Sequence, residues 1–151
     1  MNNTDLHTYL LGTWRLIEWR IEYSDDRTSH PFGTDALGRI LYSSDGGMSA
    51  TISANQRNSL AQTNSRHADN NALAQAFRSY FHYAGRWEVN EDSVVHYVDF
   101  SLNPDFVNTT QTRKVTQLSD TKMILSAIEP LAERKSRKHM IEWERANHDL
   151  C

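Results

Sequence analysis

The sequence predicts a mainly β fold: eight antiparallel strands running up and down and closing into a barrel, with a short N-terminal helix and one inserted helix. Three observations carry this. Gly12-Thr13-Trp14 puts a turning glycine and a large aromatic at the head of a long β-rich run, the means by which a small closed barrel plugs one end. Roughly eight short strand-like runs follow one another, separated by turn residues. No strand-helix-strand alternation is present, so the natural solution is an antiparallel sheet that loses its edges by closing on itself.

Each element has its own signal. Thr4 can cap a short helix through Leu10, with Leu6 and Leu10 on one side and Gly12 ending it. From Thr13 to Tyr23 the run TWRLIEWRIEY places Trp14, Leu16 and Glu18 on one face and Ile17, Trp19, Ile21 and Tyr23 on the other. Apolar groups on both faces call for a bulge that switches the register or for a covered outer face, which could seat a second subunit as a homodimer. Residues 24–37 form a polar loop. Arg39–Tyr42 and Met48–Ile52 flank Asp45-Gly46, a strong hairpin signal because glycine accepts the positive φ of a tight turn. The polar stretch 55–71 reads as a mobile segment. Leu73, Phe77, Tyr80, Phe81 and Ala84 recur at helical spacing, predicting an amphipathic helix that Gly85 ends. Arg86–Val89, Val94–Leu102, Thr109–Leu118, Lys122–Ile128 and His139–Arg145 complete the strands.

The 151 residues suit one domain, residues 1–151, large enough for a real core. Sixteen basic against nineteen acidic side chains leave a net charge of −3, which argues against nucleic acid as the partner. The lone cysteine, Cys151, allows no internal disulfide and suits a reducing compartment. The opening MNNTDLHTYL lacks a basic segment followed by an apolar one, and no run is long enough to cross a bilayer. The expectation is a cytoplasmic protein with no membrane partner.

Candidate chemistry clusters on a few residues. His96 shares a strand face with Val94, Val98 and Phe100, so its imidazole could act as general acid, base or ligand anchor, or be a buried structural histidine. Arg113 shares a face with Gln111 and Val115. It could hold a carboxylate, enolate or carbonyl oxygen of a ligand, or pair with Glu142 or Glu18. Tyr80, His82 and Tyr83 at the end of the predicted helix, with Tyr42 beside the hairpin, would ring a cavity mouth with phenols suited to an apolar ligand bearing a few oxygens. Met48 offers an adaptable wall. No His-Glu-x-x-His, Cys-x-x-Cys, Gly-x-Ser-x-Gly or phosphate-binding glycine loop occurs, so neither a metal nor another cofactor is expected. The basic run Glu133–His139 reads as a solvated hairpin loop.

Several pieces together resemble the lipocalin-like family of the calycin β-barrels. They are Leu11-Gly12-Thr13-Trp14-Arg15-Leu16, Gly38-Arg39-Ile40-Leu41-Tyr42 with Asp45–Ala50, Tyr80–Trp87, Val94-Val95-His96, Asn103–Phe106, Thr110–Arg113 and Glu142-Trp143-Glu144-Arg145. The resemblance runs from residue 10 to 146 and implies a calycin-type barrel with a cavity for a small, largely apolar molecule. It also implies that Arg145 lies over Trp14 at the barrel floor, a structural cation–π pair. Asn108 and Trp87 stand where the family often has Gly and Tyr, and Trp87 would reshape the cavity. Two functions follow as expectations. One is binding of a small hydrophobic oxygenated molecule, with Tyr42, Met48, Tyr80, His82, Trp87 and Glu142 at the ligand. The other is a cofactor-independent cyclase, isomerase or dehydratase acting on a polyketide- or terpenoid-like substrate. There His96 would serve as acid or base, and Arg113 with the Tyr83 hydroxyl would stabilise an enolate-like charge.

Overall fold

The computed structural model describes residues 3–60 and 67–146. The Thr4 side chain, residues 61–66 of the polar stretch, and Cys151 lie outside the described residues. Helix α1 (Asn3–Leu10) leads into strands β1 (Gly12–Tyr23), β2 (Thr28–Ser29), β3 (Leu37–Tyr42) and β4 (Gly47–Ser53). Helix α2 (Asn70–Arg78) precedes β5 (Tyr80–Asn90), β6 (Ser93–Ser101), β7 (Thr110–Gln117), β8 (Lys122–Pro130) and β9 (Ser136–Arg145). Neighbouring strands pair antiparallel in the order β1-β3-β4-β5-β6-β7-β8-β9, and β9 pairs back onto β1 to close an eight-stranded barrel. The two-residue β2 pairs outside that ring with the upper part of β1.

Two bulges decide which side chains face inward. On β1 the pairing with β9 jumps from Leu16↔Trp143 to Glu18↔Glu142, so Ile17 is the extra residue. Below it Trp14 and Leu16 are buried; above it Trp19 and Ile21 take the inward side. The register switch, rather than a covered outer face, reconciles the two apolar sets of this strand. On β6 the pairing jumps from Val98↔Gly85 to Phe100↔Ala84, leaving Asp99 as the extra residue. Phe100 therefore turns outward, 71% exposed, and parts from Val94, His96 and Val98, with which alternation had grouped it. Gly85 sits where β5 and β6 close in: a Cβ there would lie 1.9 Å from the Tyr97 carbonyl oxygen.

The inserted helix is shorter than the spacing predicts. It begins at its cap Asp69, whose carboxylate accepts from the Ala72 N–H at 2.8 Å, and ends at Arg78. Tyr80 to Ala84 are strand: Phe81 pairs with Ile52 and Tyr83 with Ala50 across β4. An aromatic-rich Tyr-Phe-His-Tyr run suits a pleated sheet, and pairing to β4 outweighs its helical spacing. Consequently Phe81 and Tyr83 point into the barrel, while Tyr80 and His82 fall on its outer side.

The lower half of the barrel is solid. Leu6, Leu10, Trp14, Tyr42, Met48, Trp87, Val94, Met123 and Trp143 pack there, all buried. Trp14 donates its indole N–H to the Leu10 carbonyl at 2.9 Å, tying α1 beneath the strands. The Arg145 guanidinium lies 4.2 Å from the centre of the Trp14 ring and donates to the carbonyls of Tyr9 (2.7 Å) and Leu11 (3.1 Å). It thus satisfies carbonyls that the end of α1 leaves open.

Candidate functional site

Above this floor the barrel is hollow. A narrow chamber of ≈40 Å³ lies among Ile40, Ala50, Tyr83, His96, Leu125 and Trp143. A wider cavity of ≈550 Å³ spreads toward the mouth among Trp19, Phe106, Gln111, Ala127, Glu129 and His139. Ile52, Phe81, Arg113 and Ile141 line both, so the chamber adjoins the base of the cavity. The walls are largely apolar, with few polar groups, the general make-up of small-molecule sites.

His96 stands at the base, 1% exposed. Its Nε2 is 2.7 Å from the Tyr42 hydroxyl and its Nδ1 2.6 Å from the Tyr83 hydroxyl. Burial, with the positive charge of Arg113 added, lowers the imidazole to about 3, so it is neutral near pH 7. Burial raises both phenols, which keep their protons. A neutral imidazole has one donor and one acceptor nitrogen, so one tyrosine donates to it and the other accepts. Tyr42 is away from the cavity lining and has no other acceptor among the described residues, so the arrangement that leaves no buried proton unpaired has it donating to Nε2. His96 then donates from Nδ1 to Tyr83, and the Tyr83 O–H is left over on the cavity side.

Arg113 lines both spaces and makes no ion pair among the described residues; its Nη1 donates to the Thr112 carbonyl at 3.1 Å. Neither Glu142 nor Glu18 pairs with it. Glu18 faces His30 and Arg20, and Glu142 lies on the opposite face of β9 from His139, Ile141 and Trp143, contributing to the field around Arg20.

The other sequence candidates are dispersed. Tyr42 ends β3 near the floor, not the mouth, and is 2% exposed. Met48 and Trp87 belong to the packed floor, where Trp87 stacks on His7 at 4.5 Å and donates to the Ser43 carbonyl at 2.9 Å. On the outer side, His82 Nδ1 lies 2.9 Å from the Thr51 hydroxyl, and Tyr80 lies under the Arg57 guanidinium. Asn108 holds φ +63°, the left-handed conformation that asparagine tolerates and glycine favours.

A second polar group at the mouth was hidden in the sequence. Glu129 accepts from Arg137 through Nε (2.7 Å) and Nη2 (3.1 Å), and lies 3.0 Å from His139 Nε2. Those hydrogen bonds, Arg137 first, hold its carboxyl down at about 2. Trp19 donates its indole N–H to His139 Nδ1 at 3.3 Å, so the ring proton sits on Nε2 and points at Glu129. The reading of 133–139 as a solvated loop is therefore corrected for its last residues: β9 begins at Ser136, and Arg137 and His139 face inward. The signal was available, because counting by twos back from Trp143 reaches both.

The lipocalin-like domain family matches residues 11–146, and the chain belongs to that family. Among curated proteins, none matches the chain. The amine-binding protein of Rhodnius prolixus, solved with tryptamine, is similar at 12% identity and a TM-score of 0.46, over 99% of this chain and 71% of that one. A bovine odorant-binding protein in complex with a selenium-containing odorant is similar at 12% identity and 0.44, over 95% and 74%. A de novo designed fluorescence-activating β-barrel is similar at 11% identity and 0.42, over 97% and 100%.

Proposed function

We propose that this protein binds a small, largely apolar molecule bearing oxygen inside the barrel. The observation that carries this reading is the ≈550 Å³ cavity with an apolar wall, at whose base Arg113 and the Tyr83 hydroxyl present donors toward the interior. Apolar surface leaving water at Trp19, Ile52, Phe81, Phe106 and Ile141 would supply the affinity, and the donors would orient the guest. Native mass spectrometry of gently purified protein, followed by solvent extraction, tests it. A single small organic species released on denaturation supports the reading. A barrel that carries none and gains no thermal stability from a library of small apolar carbonyl compounds counts against it.

A second reading, cofactor-free acid–base catalysis, is favoured by the Tyr42–His96–Tyr83 chain. In that case Tyr83 is the group that meets the substrate and His96 is a positioning residue behind it. A neutral, enclosed imidazole is a weak base, but its N–H fixes the Tyr83 oxygen and leaves the phenolic proton free to be shared with a carbonyl oxygen. Arg113 would steady charge developing on that oxygen.

A further inference from the structure

The polar groups at the base of the cavity are unequal in kind. Arg113 offers guanidinium N–H groups, one of them used on Thr112. Tyr83 has a phenolic proton to spare once His96 has donated to its oxygen. Trp143, 1% exposed and lining the chamber beside Tyr83 and Arg113, has an indole N–H with no hydrogen-bond acceptor among the described residues. His96 has both nitrogens engaged. Three side chains with a hydrogen-bond donor to spare thus line one chamber, and among the described residues that line it there is no carboxylate.

The charge is unequal as well. Of the two arginines lining the cavity, Arg137 is matched by Glu129, whereas Arg113 is matched by none among the described residues. Arg113 is half-buried, with its hydrogen bond to Thr112 reached by solvent, so an anion brought against it would take over a pairing that water now supplies. A neutral carbonyl could take the hydrogen bonds but would leave that charge uncompensated. An amine at this base would meet the like charge of Arg113, while the cavity's carboxylate, Glu129, is at the mouth and already paired with Arg137 and His139.

Resting on the binding reading above, we infer that the guest carries an oxyanion head group, a carboxylate or comparably acidic enolate, seated among Arg113, Tyr83 and the Trp143 indole N–H with its apolar body toward the mouth. The chamber, ≈40 Å³, has room for a head group little larger than a water molecule. Ile52, Phe81 and Ile141, which line both spaces, flank the point where the body would enter the wider cavity.

A competition assay tests this. N-phenyl-1-naphthylamine, a neutral dye that brightens in apolar surroundings, reports occupancy, and 2-naphthoate and 2-naphthamide compete for it at pH 7.5. The two competitors share a skeleton and differ in charge. The acid is expected to displace the dye at a concentration at least about tenfold lower than the amide. Arg113→Gln is expected to bring the two within about twofold of each other. Trp143→Phe keeps an aromatic ring but removes the N–H together with the fused pyrrole; it should reduce the ratio about threefold, measured as the acid-to-amide ratio so that the added space acts on both competitors alike, and it decides the matter should the arginine variant not fold. A wild-type ratio at or below one, or a ratio that neither variant changes, overturns the anionic head group while leaving the cavity reading standing. A dye that never brightens with the wild-type protein overturns the cavity reading, and this inference falls with it.

Discussion

The Tyr83 hydroxyl lies 2.6 Å from Nδ1 of His96, and that contact sets the direction of every proton at the base of the barrel. Tyr42 takes the opposite nitrogen at 2.7 Å and has no other acceptor among the described residues, whereas Tyr83 lines the chamber, which favours the Nδ1–H tautomer. Long-range ¹H–¹⁵N correlation spectra should show His96 protonated at Nδ1 and bare at Nε2 near pH 7. His139, whose Nδ1 accepts from Trp19, should show the reverse. An Nε2–H signature at His96 would reverse the chain and remove the spare proton from Tyr83.

Burial of His96 also makes stability depend on pH. Its folded value of about 3 lies below the ordinary 6.5, so the unfolded chain binds a proton that the native state refuses. The stability this contributes is fully present above about pH 6.5 and is lost as pH falls toward 3, with a slope of at most about 1.4 kcal/mol per pH unit. Glu129, held at about 2 by Arg137 and His139, adds a loss of the same sign only below its ordinary 4.5, muted by solvent. The interval between pH 6.5 and 4.5 therefore singles out His96. Urea titrations should show wild-type stability declining there and His96→Gln nearly flat. Parallel curves for the two proteins would contradict the buried neutral imidazole.

The floor should be separable from the hollow. Arg145 covers Trp14 and holds the Tyr9 and Leu11 carbonyls, far from the mouth. Arg145→Met loses the cation–π contacts to Trp14 and Tyr9 and the hydrogen bonds to the Tyr9, Leu11 and Asp120 carbonyls, so it should cost about 1–3 kcal/mol in denaturant unfolding. Its affinity for N-phenyl-1-naphthylamine at 25 °C should stay within about threefold of wild type, because no cavity-lining group has changed. A collapse of dye binding in a variant that remains folded would tie the floor to the site.

Much of this architecture was legible in the residues. Trp14 after Gly12, the Asp45-Gly46 hairpin and the short strands with polar turns specify a closed antiparallel barrel, because each signal is local. His96 and Arg113 emerged from alternation, since their strands keep register around them. What escaped reading was long-range. Apolar groups on both faces of β1 pointed to a bulge or a covered face, but its place at Ile17, like the bulge at Asp99, exists only against a partner strand, and the two decide that Trp19 points in and Phe100 out. Tyr80 to Ala84 satisfy both a helical and a strand period, and only pairing with β4 chooses between them. The Glu129–Arg137–His139 group draws on two strands and was masked by the basic character of the turn between them.

Ligand binding inside the barrel requires the hollow itself, and Ala127, which lines the wider cavity, gives access to it. Fluorescence titration of wild type and Ala127→Trp with N-phenyl-1-naphthylamine is the direct measurement. The wild-type barrel should saturate at about one dye per chain, and the variant, its cavity blocked by an indole, should weaken binding by about tenfold or more while still melting cooperatively. Equal brightening of both proteins would place the dye on the surface and contradict an interior site.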